Sequence, residues 1–282
     1  MQALDANFKQ VTQALVNAPV EKKGHKPYTR SPLRYPGGKS RAIPQIMNLL
    51  PQEIDSLCSP FIGGGSIELA CAARGVEVSG YDGFKPLVNF WQVLMENAPN
   101  LAQQVLEYYP LSRTEFYALQ KRYFDIPDRE HQAAAFFVLN RSSFSGTTLS
   151  GGMSPGHKRF TKSSIQRLEH FKVENLTVEH ADFQESIPAN PNKFLYLDPP
   201  YANGGKLYGQ KGDMHDSFDH EGLSKILHKR IGWLLSYNDC DMIRDLYPDN
   251  AFVKAGWVYG MNNNSKRSNE VVILSEDYIE IS

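Results

Sequence analysis

Two spacings of apolar residues alternate along the chain, one typical of helices and the other typical of strands. Helical spacing predicts helices over residues 4–16, 40–50, 67–74, 221–228 and 241–246. Short apolar runs between turn residues predict strands over residues 56–60, 76–82, 176–178, 194–197, 233–237, 252–259 and 270–274. Strands that alternate with helices indicate an α/β sheet, and the last two strands are close enough to form an antiparallel hairpin.

The middle of the chain breaks this alternation. Residues 87–137 have mainly helical patterns, and residues 140–163 are rich in Ser, Gly and Thr. This change predicts a mostly helical insertion in an α/β domain, preceded by an N-terminal helix and a basic linker. The predicted segments are 1–30 for the N-terminal helix and linker, 31–97 and 174–282 for the α/β domain, and 98–173 for the insertion.

The composition is that of a globular protein. The 282 residues are 41% hydrophobic and 11% aromatic, which is enough for a hydrophobic core. The longest apolar run, Ala133–Leu139, is well short of the roughly 18 residues that a transmembrane helix needs. The first residues also lack the pattern of a signal peptide, so we expect a cytoplasmic protein without a membrane partner. Three cysteines without a Cys-x-x-Cys pair, and histidines without ligand spacing, predict neither a disulfide nor a metal site.

The charged residues are unevenly distributed, although the net charge is only −1. Residues 21–41 contain seven Lys or Arg and one acid, and residues 140–172 contain six Lys or Arg and one acid. Because acids elsewhere balance these segments, the pattern indicates one basic face on an acidic body. Such a face is typical of nucleic-acid binding, and an ordinary solvated surface is the alternative.

Two glycine-rich stretches come close to phosphate-binding motifs without matching them. Gly37–Ser40 would need a glycine at Leu33 to be a P-loop, and Gly63–Gly65 would need a third fingerprint glycine at Glu68. The second stretch still lies between a predicted strand and a predicted helix, where glycines let the backbone approach a ligand closely. Asp82 ends the next strand, where a carboxylate accepts hydrogen bonds from ribose. We therefore predict a nucleoside-containing cofactor without a pyrophosphate, with a glycine cluster needed only for packing as the alternative.

The tetrapeptide Asp198–Tyr201 directly follows the apolar strand Phe194–Leu197. The carboxyl end of a buried strand is where α/β enzymes keep their chemistry. An amine on adenine is a weak nucleophile toward a methyl sulfonium, because its lone pair is drawn into the ring. Asp198 and the Pro199 carbonyl can each accept one amino hydrogen, and Tyr201 can stack on the base. This arrangement predicts catalysis by positioning, without a metal or a covalent intermediate.

With these motifs the chain resembles the Dam-like DNA adenine N6-methyltransferases. The motifs occur in the order seen in that family and extend from about Ser31 to Ser275. They are Arg34–Lys39, Pro60–Gly65, Tyr81–Asp82, Leu139–Arg141, Asp182–Phe183, Asp198–Tyr201 and Leu235–Asp239. The resemblance implies a Rossmann-like methyltransferase sheet, S-adenosylmethionine as the methyl donor, and site-specific methylation of double-stranded DNA.

The resemblance also implies roles for individual residues. The implied cofactor-binding residues are Tyr35, Lys39, Phe61, Gly63, Gly64, Gly65, Asp82, Asp182, Phe183 and Asp198. Tyr35 would contact the adenine region of the cofactor, Lys39 its charged end, and Asp82 its ribose. The implied catalytic residues are Asp198, Pro199, Pro200 and Tyr201. They would serve an adenine flipped out of the duplex, because the amine of a paired adenine lies within the base stack.

The helical insertion would then be the target-recognition domain. The implied DNA contacts are Arg34, Asn140, Arg141, Lys158, Arg159 and Lys162. The cations would anchor phosphates, while Arg141, Asn140 or a Ser or Thr of this segment would read base edges. Residues 147–157 depart from the recognition hairpin of GATC-specific members, so the sequence does not predict GATC as the target. The loop 262–267 is either a further DNA contact or an exposed polar turn.

Sequence alone leaves other functions open. A cytosine N4 or RNA adenine methyltransferase would share the logic of the tetrapeptide, and a non-catalytic DNA-binding relative would keep the basic segments. A cognate restriction endonuclease is a candidate partner, while phage self-protection and an epigenetic role require the same chemistry. The sequence makes no prediction of the oligomeric state.

Overall fold

Strands and helices alternate over most of the chain, as the apolar pattern predicts. The computed structural model describes residues 29–155, 159–202, 218–255 and 269–278. The strands in these ranges are β1 Ser56–Ser59, β2 Glu77–Asp82, β3 Leu176–His180, β4 Phe194–Leu197, β5 Trp233–Asn238, β6 Ala251–Lys254 and β7 Glu270–Leu274. The α-helices are α1 Ile43–Leu49, α2 Ser66–Ala72, α3 Lys85–Leu106, α4 Arg113–Lys121, α5 Arg129–Ser142, α6 Lys162–Glu169, α7 Phe183–Ala189, α8 His220–Leu227 and α9 Asp241–Leu246. The helix predicted over 4–16 and the loop 262–267 lie outside the described residues.

The strands form one mixed sheet in the order β3-β2-β1-β4-β5-β7-β6. The pairs from β3 to β5 are parallel, whereas β7 is antiparallel to both β5 and β6. The predicted α/β class and the antiparallel pairing of the last two strands are therefore confirmed. From β1 the chain adds β2 and β3 on one side of the sheet, and it then adds β4 and β5 on the other side. The boundary between β1 and β4 is therefore a topological switch point, where open α/β sheets bind their ligands.

Alternate residues of the strands enter cores on opposite faces of the sheet, because successive side chains of a strand point to opposite sides. In β5, Leu234 packs in the core that α1 and α2 cover, whereas Leu235 packs in the core that contains residues of α7, α8 and α9. In β4, Tyr196 and Leu197 divide in the same way. Both faces of the central strands are thus covered, so the site residues lie at the ends of strands rather than on the faces.

A third core lies among the helices that follow β2. Helix α3 packs against α5 and α6, and the shared apolar cluster reaches the sheet at Val178. Gln92 of α3 also donates a hydrogen bond to the Val178 carbonyl at 2.9 Å. The boundary predicted between residues 97 and 98 falls inside α3, where Asn97 has non-helical angles two residues before Pro99. The helical segment therefore shares its longest helix with the part of the chain that packs on the sheet.

Candidate active site

A cleft of about 420 Å³ opens at the carboxyl ends of β1, β2 and β4. Its volume suits a small-molecule ligand. The predicted residues that line it are Tyr35, Lys39, Phe61, Gly63, Gly64, Gly65, Asp82, Asp182, Phe183, Asp198, Pro199, Pro200 and Tyr201. The structure thus brings together all the residues that the resemblance implies for cofactor binding and catalysis, although they come from five separate stretches of the sequence.

The glycine-rich turn between β1 and α2 is packed against aromatic side chains. A Cβ atom on Gly63 or Gly64 would lie 2.8 Å from an atom of Tyr35, and one on Gly65 would lie 2.9 Å from Trp91. Gly63 and Gly65 also have φ angles of +46° and +66°, which side-chain-bearing residues rarely adopt. The Trp91 indole donates to the Gly63 carbonyl at 3.0 Å and fixes the turn. In this structure two protein side chains require glycine at these positions, which agrees with the packing alternative that the sequence left open.

Asp82 stands at the end of β2, beside this turn. One carboxylate oxygen accepts a hydrogen bond from the Gly63 amide at 3.1 Å, and the other accepts one from the Phe84 amide at 2.9 Å. Burial raises the pKa of Asp82 to about 6, although these two amides favour the charged form. Because a carboxylate oxygen accepts more than one hydrogen bond, Asp82 keeps acceptor capacity toward the cleft.

Three aromatic rings form one wall of the cleft. The Phe61 ring centroid lies 6.0 Å from that of Phe183 and 5.6 Å from that of Phe218, and the last two are 5.4 Å apart. The exposed Asp182 caps α7 by accepting a hydrogen bond from the Glu185 amide at 3.0 Å. Phe218 was missed in the sequence, because an isolated aromatic residue before a helix carries no recognisable signal.

The catalytic carboxylate predicted at Asp198 forms an ion pair inside the cleft. Lys39 Nζ lies 2.6 Å and 2.8 Å from its two oxygens and donates a third hydrogen bond to the Gly37 carbonyl at 3.1 Å. Lys39 is 4% exposed, and the Asp198 side chain is 21% exposed. Burial raises the pKa of Asp198 to about 6, and the charge of Lys39 opposes that rise. The sequence placed both residues in the site but did not predict that they contact each other.

Tyr201 is held by Lys39 and by the carboxyl end of β5. Its ring centroid is 6.0 Å from that of Tyr237, and the Lys39 ammonium lies 5.0 Å from the Tyr201 ring centroid. The Ala202 amide donates to Asn238 Oδ1 at 3.1 Å, which fixes the chain directly after the tetrapeptide. Tyr237 is hydrogen-bonded in turn to His220 at the start of α8. These contacts hold an aromatic ring next to the Asp198 carboxylate.

Glu68 is a buried carboxyl group that sequence reasoning used only to reject a fingerprint. It lines the cleft, is 2% exposed, and accepts a hydrogen bond from the Ser59 hydroxyl at 2.6 Å. Burial raises the pKa of Glu68 to about 7, against the opposing effect of the Ser59 bond. The cleft therefore contains acidic groups at Glu68, Asp82 and Asp198.

The basic surface beside the cleft contains a cluster of four arginines, Arg34, Arg141, Arg159 and Arg167. Burial and, to a smaller extent, the charges of the other three arginines lower the pKa of Arg141 to about 10. Arg141 donates to the Arg159 carbonyl at 3.0 Å, and Arg34 donates to the Ser143 carbonyl at 3.2 Å. Within the described residues, the guanidinium hydrogen bonds of Arg34 and Arg141 go to backbone carbonyls rather than to acids. We call this group the arginine cluster.

The other predicted DNA contacts are placed differently. Arg159 and Lys162 are exposed, and Lys158 lies outside the described residues. Asn140 is fully buried, and its side-chain amide is hydrogen-bonded to the backbone of Arg34, so the structure does not present it to a base edge. The sequence interpretation of Asn140 as a reader of bases is therefore corrected. A buried polar residue inside a helix and an exposed reader give the same sequence pattern.

An exposed aromatic residue projects beside the cleft. Phe144 is 62% exposed and lies in the turn between α5 and residues 146–148, which line the cleft. Its amide donates to the Gly152 carbonyl at 2.9 Å. Ser145 follows it with a φ of +55°, an uncommon angle for a residue other than glycine. No motif or apolar spacing in the sequence singles out Phe144.

The described ranges contain neither a membrane-spanning helix nor a metal-binding cluster. No helix there is long and apolar enough to cross a membrane. No group of three or more His, Cys, Asp and Glu side chains is arranged there to hold a metal ion.

A family model covers most of the chain. The family described as "D12 class N6 adenine-specific DNA methyltransferase" matches residues 35–261. The match begins at Tyr35 in the cleft wall and extends beyond β6. It therefore includes the whole of the cleft described above.

Individual relatives are similar to the chain at low identity. The Type II methyltransferase M1.LlaDCHI of Lactococcus lactis subsp. cremoris is 22% identical over 248 residues, which cover 79% of this chain and 85% of that protein. The DNA adenine methylase of Haemophilus influenzae is 21% identical over 245 residues, with coverages of 79% and 83%. The DNA N-6-adenine-methyltransferase of Escherichia phage P1 is 27% identical over 243 residues, which cover 80% of this chain but only 32% of that protein.

Proposed function

Since the chain belongs to the D12 class of N6 adenine-specific DNA methyltransferases, we propose that the cleft binds S-adenosylmethionine and that Asp198 and Tyr201 receive a flipped adenine. Family membership makes the protein an enzyme that acts on DNA adenine, and it decides against the cytosine N4, RNA and non-catalytic alternatives. The methyl donor, the role of each residue and the mode of DNA contact are the proposal.

The residues of the cleft fit S-adenosylmethionine. The ring wall of Phe61, Phe183 and Phe218 suits the flat adenine of the cofactor. Asp82 has acceptor capacity for ribose hydroxyls, and the acidic groups suit a ligand that carries ammonium and sulfonium charges. Lys39 would hold its carboxylate. Bound S-adenosylmethionine supplies an electrophilic methyl group, and the protein supplies the alignment.

Asp198 would activate the adenine amine by accepting a hydrogen bond from one of its two N–H groups. Such a bond favours the tetrahedral nitrogen, whose lone pair stays on the nitrogen rather than being drawn into the ring. Both oxygens of Asp198 are bonded to Lys39 in this structure, so the amine must replace one of these bonds. The Pro199 carbonyl would accept the other amino hydrogen, and the Tyr201 ring would stack on the base. The pair formed with Lys39 keeps Asp198 ionised until the amine arrives.

DNA would lie across the arginine cluster. Four arginines whose charges repel one another are stabilised by an anion, and a duplex supplies a phosphate at every nucleotide. Arg159 and Lys162 extend the same surface. Phe144, exposed beside the cleft, would fill the gap in the base stack when the adenine leaves it. Together these residues would compensate the few kcal/mol that base flipping costs.

We assign target recognition to the region around α4, α5, α6 and the turn 143–154. The sequence boundaries of 98–173 remain our proposal for its extent, with the qualification that α3 belongs to both this region and the sheet domain. A restriction endonuclease with the same target sequence is the further partner we propose, because one relative is named a Type II methyltransferase.

The observation that carries the proposal is the position of Asp198 and Tyr201 in the same cleft as Asp82 and the aromatic wall. The test incubates purified protein with a labelled methyl donor and duplex DNA, followed by nucleoside analysis. We expect label in N6-methyladenine. Label in N4-methylcytosine, or in RNA offered as a competitor, would overturn the proposal. The matched variant is Asp198→Asn, which keeps the size of the side chain but carries no negative charge.

A further inference from the structure

Asn140 connects the wall of the cofactor cleft with the turn that carries Phe144. Its Oδ1 accepts a hydrogen bond from the Arg34 amide at 2.9 Å, and its Nδ2 lies 2.8 Å from the Arg34 carbonyl oxygen. The same Nδ2 lies 3.2 Å from the Gly146 carbonyl oxygen and 3.0 Å from Thr148 Oγ1. One fully buried side chain therefore joins two segments more than 100 residues apart in the sequence.

The first of these segments is a wall of the cofactor cleft. Arg34 directly precedes Tyr35, whose side chain packs on Gly63 and Gly64 and lines the cleft. A ligand that contacts this wall acts on the backbone that Asn140 holds. The guanidinium of Arg34 belongs to the arginine cluster, so the same residue also faces the proposed DNA surface.

The second segment is a turn whose backbone needs outside support. Ser145, Gly146 and Thr148 have φ angles of +55°, +79° and +54°. A Cβ atom on Gly146 would lie only 2.0 Å from the Arg34 carbonyl oxygen, so the two segments are in direct backbone contact. Angles of this kind persist where surrounding contacts impose them. The contacts from Asn140 to Gly146 and Thr148 are of this kind, and residues 147 and 148 line the cleft.

We propose that Asn140 is the positioning residue through which binding of the cofactor and binding of DNA favour each other. This inference rests on the proposed function. A ligand that orders the Arg34–Tyr35 wall also orders the turn through Asn140, and DNA seated on the turn acts in the reverse direction. Coupling of this kind is reciprocal, so each ligand must raise the affinity for the other by the same factor.

The test measures the dissociation constant of a fluorescent duplex that contains the target sequence, with and without saturating S-adenosylhomocysteine, which cannot donate a methyl group. For the wild type we expect DNA to bind about fivefold more tightly, or better, when this ligand is present. For Asn140→Ala we expect that factor to fall close to one. Thr148→Val removes the hydroxyl, which contacts Asn140 and the Gly146 carbonyl, but keeps the other bonds of Asn140. It should give an intermediate factor and serves as the milder variant.

Asn190→Ala is the matched control, because Asn190 is also a buried asparagine that bonds to a backbone carbonyl, at Ser186. A purely structural role for Asn140 would weaken DNA binding equally with and without the ligand and leave the factor unchanged. An unchanged factor in Asn140→Ala and Thr148→Val, or a wild-type factor of one, would overturn the inference. If either of these outcomes is found with a wild type that methylates DNA, only the coupling inference fails. If the wild type does not methylate DNA, the proposed function fails as well.

Discussion

The ammonium of Lys39 contacts both carboxylate oxygens of Asp198, at 2.6 Å and 2.8 Å, in the cleft at the end of β4. Removing one member of a buried ion pair leaves the other charge uncompensated. The charge of Asp198 therefore depends on Lys39, and so does any reaction that needs Asp198 as a hydrogen-bond acceptor. The pH dependence of the reaction rate therefore reports on the ion pair.

The first prediction concerns the pH dependence of methyl transfer. Burial raises the pKa of Asp198 to about 6, and the proposed mechanism uses the ionised carboxylate, the stronger acceptor, for the hydrogen bond from the amine. The single-turnover rate should therefore fall by about tenfold per pH unit below pH 6. In Lys39→Gln the opposing positive charge is lost, so the pKa of Asp198 rises and the acidic limb moves to higher pH.

Single-turnover rates measured between pH 5 and pH 9 check this prediction. Lys225→Gln, at an exposed position of α8, is the control and should keep the wild-type profile. An acidic limb at the same pH in Lys39→Gln would show that the ion pair does not set the charge of Asp198.

The second prediction concerns the free energy of unfolding, which the buried carboxyl group of Glu68 lowers when it ionises. The pKa of this carboxyl is raised from 4.5 to about 7 in the folded protein, mainly by burial. Between these two values the folded chain keeps a proton that the unfolded chain has released, so stability falls as the pH rises. Glu68→Gln should remove this loss, which is on the order of 3 kcal/mol because each pKa unit corresponds to about 1.4 kcal/mol.

Urea unfolding at pH 8 and at pH 4.5 gives the relevant comparison. Glu68→Gln should have the higher free energy of unfolding at pH 8 and should approach the wild type at pH 4.5. Glu169→Gln, an exposed position on α6, should differ little from the wild type at either pH. A Glu68→Gln protein that is less stable than the wild type at pH 8 would contradict the prediction. It would show that neighbouring groups stabilise the charged Glu68 carboxylate in the folded protein.

The third prediction concerns the salt dependence of DNA binding. Each phosphate contact contributes about 0.9 to the slope of log K against log salt concentration. Replacing both Arg159 and Lys162 by Gln should therefore reduce the slope by up to about 1.8. The paired control is the replacement of Lys225 and Lys229 on the other side of the sheet, which removes the same charge. Equal slopes for the two double variants would place the DNA surface elsewhere.

The fourth prediction concerns cofactor affinity. Asp82 accepts two backbone hydrogen bonds and faces the cleft, so Asp82→Asn keeps its size but loses the charge and part of its acceptor capacity. We expect S-adenosylmethionine to bind at least about tenfold more weakly, a loss of about 1.4 kcal/mol. Calorimetry on Asp82→Asn and on the exposed control Asp241→Asn decides the point. Equal affinities would remove Asp82 from the cofactor site.

Much of the fold and of the cleft was predictable, because the signals are local. The strand before Asp198 and the acid that ends β2 can be recognised in a few neighbouring residues each. Parallel strands bring their carboxyl ends to one edge of the sheet, so these separate motifs had to meet there. The antiparallel pairing of β6 and β7 follows in the same way from their nearness in the sequence.

What sequence reasoning missed depends on distant partners. Gly63–Gly65 must be glycine because Tyr35 and Trp91 lie against them, and spacing within the motif cannot show this. Asn140 was interpreted as a DNA contact, because its bonds to Arg34 join residues more than 100 positions apart and cannot be recognised in the sequence. The position of β7 between β5 and β6 likewise depends on strand order, which a pairwise hairpin prediction does not give.

The most direct test of the central claim is to map modified bases by long-read sequencing of DNA from a methylation-deficient bacterial host. One culture expresses the wild type, and the other expresses Asp198→Ala at the same level of folded protein. The account predicts N6-methyladenine at one repeated sequence motif with the wild type and none with the variant. Methylation retained by Asp198→Ala, or unmodified DNA from a wild type that binds S-adenosylmethionine, would contradict it.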